Sequence, residues 1–446
     1  MNDTIAALAA GGGAGAISII RISGPDCFEQ ASGLFTNFPS QSHKLVLTNV
    51  VDAQGCVIDE GLVCKFVGKK SYTGENTIEI HCHGGAYIAS AVLELIFGLG
   101  IRQAQPGEFT QRAYLNGKLD LLQAEGINLL VTAKSKQEWQ AGQYLKSSDL
   151  SNLINDLKRR LIESMALIEA QIDFPEEHDV AHLNKQAAKD KIAEVSKVIG
   201  KLVGTYNSGK VVSHGLRVGL YGEPNAGKST LLNALLGEER AIVTDVAGTT
   251  RDYIEEAVLL DGRLVKLVDT AGIRQSAGDI EKIGIERSLK ILDSIDLVVH
   301  LLPKGGADNV KLRDELKQRY SGEVLEVVSK GDLDGAGSAG PVGALEISAK
   351  TGQGLDSLKD HIIKKVDACV ADASDNAYIT NSRQLAALNT ARGNLEQFFE
   401  LYEQDSYDEL LAFEVRQATK SLSSVLGNVD SEDILEEIFS KFCIGK

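Results

Sequence analysis

Gly222-Glu223-Pro224-Asn225-Ala226-Gly227-Lys228-Ser229 fits the pattern G-x-x-x-x-G-K-[ST], and its reading decides the fold of the middle of the chain. It follows a strand-like run, Arg217 to Tyr221, and precedes an apolar helical start at Leu231 and Leu232. That is the setting a phosphate-binding loop requires. Glycines let backbone N–H groups turn inward around phosphates, and the helix that follows points its positive end at them. Lys228 is placed to reach the β- and γ-phosphates and Ser229 to hold Mg²⁺, with Asn225, Ala226, Gly227 and Thr230 completing the cradle.

The motifs downstream come in the order a GTPase needs. Thr244 leads into Asp245-Val246-Ala247-Gly248-Thr249-Thr250, a first switch with Thr250 as second Mg²⁺ ligand. Asp261-Gly262 predicts a two-residue hairpin turn, whose second strand delivers Asp269-Thr270-Ala271-Gly272 to the γ-phosphate and metal. Ser329-Lys330-Gly331-Asp332 follows the run Val324 to Val328. Asp332 can accept from guanine N1–H and N2–H, which adenine lacks, and Ser348-Ala349-Lys350 closes the base pocket. Together these predict GTP hydrolysis on a Ras-like P-loop G domain.

Two departures bear on mechanism. The guanine motif usually begins with Asn and here begins with Ser329; a hydroxyl is shorter than an amide, which weakens either a base contact or the tether to the phosphate loop. After Gly272, where Ras-type enzymes carry a water-orienting Gln, stands Ile273, whose side chain cannot position water. Arg251 and Arg274 are merely nearby, and the sequence identifies no arginine finger. Asn225, with backbone carbonyls of the first switch, can bind a monovalent cation where a finger would reach. K⁺-dependent hydrolysis with Glu281 orienting water is the expectation.

Outward from this core, residues 216–373 alternate strand and helix signals, the mark of a parallel sheet with crossover helices. On the N-terminal side Leu150, Ile154, Leu157, Leu161, Met165, Ile168 and Ile172 step by three or four, and Ile192, Val195, Ile199 and Leu202 continue the helical signal. It resumes near Ser382 with Leu385, Leu388 and Leu395, then Leu411, Val415, Ala418, Leu422 and Val425. The economical reading is a helical domain in two segments, 119–215 and 374–446, with the G domain 216–373 inserted. Residues 1–118 read as a separate α/β domain in which Ile17 to Ser23 and Thr77 to His81 are strands and Ala86 to Leu99 a helix. The fold class is thus multidomain, α/β plus all-α.

Composition narrows the function classes. Of 446 residues, 46 are Lys or Arg and 62 Asp or Glu, a net charge of −16 that argues against a uniformly basic nucleic-acid surface. No run approaches the ~18 apolar residues of a membrane helix. The apolar stretch from Ile5 carries Asp3 ahead of it and three glycines within it, unlike a signal peptide. The six cysteines are scattered with no CxxC pair, which indicates neither a disulfide framework nor a zinc finger and fits a reducing cytoplasm. Gly11 to Ala16 formally fits a dinucleotide fingerprint, but a strand follows where that motif needs a helix. His81 and His83 share a strand face without an obvious third metal ligand.

Several further motifs lie in one order from residue 20 to the end: Ile20-Arg21-Ile22-Ser23-Gly24, Pro106-Gly107-Glu108-Phe109-Thr110, Asn116-Gly117-Lys118-Leu119-Asp120-Leu121, Ile172-Asp173-Phe174-Pro175, Ile283-Gly284-Ile285-Glu286-Arg287 and the terminal Phe442-Cys443-Ile444-Gly445-Lys446. In these the whole chain resembles the MnmE (TrmE) family, the GTPases that modify tRNA wobble uridine. The resemblance implies an N-terminal domain that dimerises and binds 5-formyltetrahydrofolate, a discontinuous helical domain and an inserted G domain. It implies folate contacts at Arg21, Glu79, Lys118 and Lys446, and K⁺ ligands at Asn225, Thr244, Val246 and Thr249. It further implies a catalytic Glu281 and a cysteine at the folate, Cys443. The implied reaction joins a folate-derived one-carbon unit and an amine to carbon 5 of uridine. The implied partners are a second copy, tRNA and the FAD-binding protein MnmG.

Overall fold

The computed structural model describes residues 3–11, 15–173, 178–238, 255–269, 292, 294–304, 310–333, 341, 343–374, 377–427 and 432–445. They form two compact units: Met1–Asn128, Tyr144–Ile192 and Gly393–Lys446 in the first, Leu129–Gln143 and Ala193–Arg392 in the second.

The first unit holds a six-stranded sheet of β1 (Ile5–Ala10), β2 (Ile17–Ser23), β3 (Val46–Val51), β4 (Val57–Phe66), β5 (Thr77–His83) and β6 (Arg102–Gln103), in the order β3-β4-β5-β2-β1-β6. All its pairings are antiparallel except β1 with β6. Period-two alternation on β2 and β5 sends Ile20, Ile22, Ile78 and Ile80 into a core with Val92 and Ile96 of the helix Ala86–Gly98. The same alternation leaves Arg21 paired with Glu79 on the opposite face. β1 pairs antiparallel with β2, which begins at Ile17, so a strand stands where a dinucleotide fingerprint needs a helix.

The same unit holds the helices Asp149–Asp173 and Asp408–Val425, packed against each other. Leu150, Ile154, Leu157, Leu161 and Ile168 are buried on one, and Leu411, Val415, Ala418, Leu422 and Val425 on the other. Each of these leucine, isoleucine and valine side chains contributes about 1.5–3 kcal/mol relative to exposure. Met165 is only half-buried; Ser164 takes the interior place and donates to the Arg160 carbonyl at 2.9 Å. The helix Glu432–Ser440 lies on the helix Glu108–Leu115, with Phe439 and Phe442 packed among Leu121, Ala124 and Tyr114.

The second unit is built on β7 (Leu216–Gly222), β8 (Glu255–Leu260), β9 (Arg263–Asp269), β10 (Leu297–Pro303), β11 (Glu323–Ser329) and β12 (Leu345–Glu346), ordered β12-β11-β10-β7-β9-β8. Every pairing is parallel except the hairpin β8–β9. At its turn Asp261 and Gly262 both have positive φ, 47° and 76°, the mirror-image turn that suits the twist of paired strands. Val218, Leu220, Leu267, Val299 and Leu301 are buried in its core beneath the helices Lys228–Glu238 and Leu355–Ser374. In an open parallel sheet the carboxyl ends of the strands are where ligands bind. Here β7, β9 and β11 end at Gly222, Asp269 and Ser329.

Candidate functional site

β7 runs into a loop that wraps back on itself before the helix Lys228–Glu238 begins. Two positions make the wrap possible, Asn225 at φ 63° and Gly227 at φ 98°, one a residue type that tolerates the left-handed region and the other the type that prefers it. Lys228 is 6% exposed and donates to the Gly222 carbonyl at 2.9 Å and the Glu223 carbonyl at 2.7 Å, so its ammonium is held at the mouth of the loop. Ser229 opens the helix, its Oγ 3.4 Å from Oδ2 of Asp269 at the end of β9. A hydroxyl at the start of this helix and a carboxylate at the end of β9 are the hard oxygen donors that Mg²⁺ takes.

Beside this loop is a pocket of about 340 Å³ lined by Gly227, Thr230, Ser329, Lys330, Asp332 and Lys350, with Ala349 among the rest of its wall. Ser329 Oγ donates to the Ala226 carbonyl at 2.6 Å, so the tether to the phosphate loop is made despite the short side chain. Ser348 Oγ donates to Asp332 Oδ1 at 2.7 Å. That hydrogen bond, more than the nearby Lys350 and Lys304, holds the Asp332 carboxyl below the usual carboxylate range. Asp332 is thus an oriented, ionised acceptor on the pocket wall, which a base with adjacent N–H donors matches.

A second group of residues gathers on the first unit. Arg21 Nη2 and Nε donate to one oxygen of Glu79 at 2.8 and 3.0 Å, and the guanidinium lies over the rings of Tyr72 (5.1 Å) and Phe109 (5.6 Å). Lys118 Nζ donates to the carbonyls of Lys69, at 3.0 Å, and Ser71. The tail reaches the same domain: the Gly107 N–H donates to the Cys443 carbonyl at 3.3 Å, and Gly445, at φ 93°, lies so near β1 that an added Cβ would fall 2.1 Å from the Leu8 carbonyl. The neighbouring β1 residue, Ala7, is opposite Arg21 in the strand register. Cys443 carries an exposed free thiol.

Residues 4–118 match the N-terminus of the GTP-binding protein TrmE, and residues 121–443 match the MnmE helical domain. Over the full length of both chains, the tRNA modification GTPases MnmE of Christiangramia forsetii and Clostridioides difficile are each 37% identical to this one, and that of Aquifex aeolicus is 38% identical. The chain belongs to the MnmE family. It is therefore a GTP hydrolase of tRNA modification, and its N-terminal, helical and P-loop parts are those of an MnmE chain.

Of the residues singled out from the sequence of this MnmE-family protein, the structure brings Asn225 to Thr230, Asp269, Lys330, Asp332 and Ser348 to Lys350 to one edge of the second sheet. Arg21, Glu79, Lys118 and Cys443 lie on the first unit. Thr244, Asp245, Val246, Ala247, Gly248, Thr249, Thr250, Thr270, Ala271, Gly272, Glu281 and Lys446 lie outside the described residues. Sequence reading did not single out Tyr72, whose ring faces Arg21 and whose hydroxyl lies 2.9 Å from Thr110 Oγ1. A lone aromatic in a loop gives no local signal. His83 Nδ1 is 2.7 Å from Asp59 Oδ1, so the strand histidine noted as a metal candidate has a carboxylate neighbour on β4.

Proposed function

We propose that this chain is a K⁺-dependent GTPase that acts with MnmG, as a homodimer within a heterotetramer or larger complex in the cytoplasm. The product is an aminomethyl or carboxymethylaminomethyl group on carbon 5 of wobble uridine in certain tRNAs, with 5-formyltetrahydrofolate supplying the one-carbon unit. The observation that carries the reading is the edge where the phosphate loop, Asp269 and the Asp332 pocket meet. Its wider frame is an organisation into residues 1–118, 119–215, 216–373 and 374–446. Among the described residues no helix is long and apolar enough to cross a membrane.

In this reading Lys228 leaves the Gly222 and Glu223 carbonyls for the β- and γ-phosphates, and Asp332 selects guanine. Ser229 and Thr250 hold Mg²⁺, which supplies charge neutralisation at the phosphates when bound. Asn225, Thr244, Val246 and Thr249 would hold K⁺ beside them, Asn225 standing in the phosphate loop itself at φ 63°. Glu281 orients the attacking water. Hydrolysis drives a conformational change and is not itself the modifying step.

The folate reading rests on the first unit. A folate carries a glutamate carboxylate and a flat heterocycle. Lys118 and Lys446 offer cations to the former, and Arg21 with Glu79 offers paired donors and an acceptor to the latter. Cys443 stands at the same tail.

The test of the cation claim is GTP turnover by the full chain in KCl and in NaCl at matched ionic strength. Faster turnover in KCl, lost in Asn225→Ala, is the expected result; equal rates in the two salts overturn K⁺ dependence.

A further inference from the structure

Guanine offers two edges to a protein, the N1–H and N2–H donors of its Watson–Crick edge and the O6 and N7 acceptors of its other edge. Reading N7 takes a proton donor. An asparagine amide at the head of the guanine motif has two N–H donors, enough to hold the phosphate loop with one and N7 with the other. A serine hydroxyl has a single proton. In this chain Ser329 Oγ lies 2.6 Å from the Ala226 carbonyl and 3.4 Å from the Leu302 carbonyl. Both neighbours are acceptors, so the proton points at a carbonyl in either case. Ser329 is 4% exposed and sits at the end of β11, held between the loop and β10.

We propose that Ser329 makes this chain indifferent to guanine N7: it keeps the tether between base pocket and phosphate loop, gives up the N7 contact, and leaves selection to Asp332 on the Watson–Crick edge. The proposal rests on the reading of this pocket as the guanine site. Its substrate consequence is specific. A guanosine nucleotide whose N7 is replaced by C–H binds as well as the natural one, whereas loss of the N2 amine weakens binding.

The experiment is calorimetric titration of the full chain, in KCl and MgCl2, with GDP, 7-deaza-GDP, IDP and ADP. For the wild type, GDP and 7-deaza-GDP dissociation constants within about twofold of each other are expected, with IDP weaker by at least about tenfold, the net worth of one hydrogen bond to a charged acceptor. Ser329→Asn restores a second donor and is expected to favour GDP over 7-deaza-GDP by about fivefold. Ser329→Ala cuts the tether without supplying a donor, so its ratio stays near one; with the wild type it decides the matter should the asparagine variant not fold. A wild type that already prefers GDP to 7-deaza-GDP fivefold overturns the proposal. Equal binding of GDP and ADP instead overturns the guanine-site reading beneath it.

Discussion

In the second unit, the groups that face the candidate nucleotide come in short runs of sequence. Asn225 to Thr230 is one stretch, Ser329 to Asp332 another, Ser348 to Lys350 a third, and a parallel sheet brings the strand ends together. In the first unit, Arg21 stands in one strand, Lys118 follows a helix, and Cys443 lies near the end of the chain, tied to Gly107 through its carbonyl. One site is a set of motifs, each chemically complete in itself. The other, the proposed folate site, would form only once a C-terminal segment has crossed to an N-terminal sheet. The difference teaches that a phosphate loop is legible because its chemistry is backbone geometry fixed by local residue choice. A pocket assembled from distant single residues leaves no such local mark.

The comparison breaks if the two sites do not fail separately. The largest expected effect is at Lys228. Replacing it by alanine removes the cation facing the phosphates and is expected to lower GTP turnover by at least about 100-fold, while binding of 5-formyltetrahydrofolate stays as it was. Next is Gly445→Val, which forces a side chain toward the Leu8 carbonyl and strains a residue at φ 93°. Folate affinity, measured by calorimetry, is expected to fall by about tenfold, with GTP turnover without tRNA unchanged. If both activities fall together in either variant, the two sites are not independent.

Smaller effects sharpen the nucleotide side. Ser329→Ala leaves the Ala226 carbonyl without its hydroxyl donor and is expected to weaken GDP binding about fivefold, the cost of one hydrogen bond. The pH response is smaller still. The Asp332 carboxyl is held below its ordinary value chiefly by the Ser348 hydroxyl. A depressed carboxylate keeps its charge above that value and loses it only as pH falls through the lowered one. The ratio of GDP to IDP affinity, in which titration of the phosphates cancels, is therefore expected to change by less than about twofold between pH 7 and 5.5. Ser348→Ala, which removes the depressing hydrogen bond, moves the acid limb of binding upward in pH.

Much of the fold was legible from period alone. The buried positions of the helix Asp149–Asp173 are those that step by three or four, and the Asp261-Gly262 turn joins β8 to β9 as its residue types require. Where periodicity went astray, a polar contact had taken the interior place. In the helix Ser382–Glu403, Gln384 is fully buried and Leu385 only half-buried, because the Gln384 side-chain oxygen Oε1 accepts from the Thr380 N–H at 2.8 Å. A hydrophobicity pattern cannot register a buried amide that satisfies a backbone group. At the site, the departure at Ser329 was visible in the sequence, but which of its two contacts suffered was not. That depends on whether Oγ reaches Ala226 across a separation of 103 residues. Arg21 and Glu79 were placed by resemblance, whereas the rings of Tyr72 and Phe109 over which the Arg21 guanidinium lies emerged only with the packing.

The most direct test of the account is mass spectrometry of tRNA nucleosides from cells lacking this protein, beside cells complemented with the wild-type chain and with Asp269→Ala. The account predicts that aminomethyl-type groups on wobble uridine disappear, return with the wild type and fail to return with Asp269→Ala. Unchanged nucleosides in the deletion would contradict it and favour a GTP-switched assembly factor that makes no covalent change.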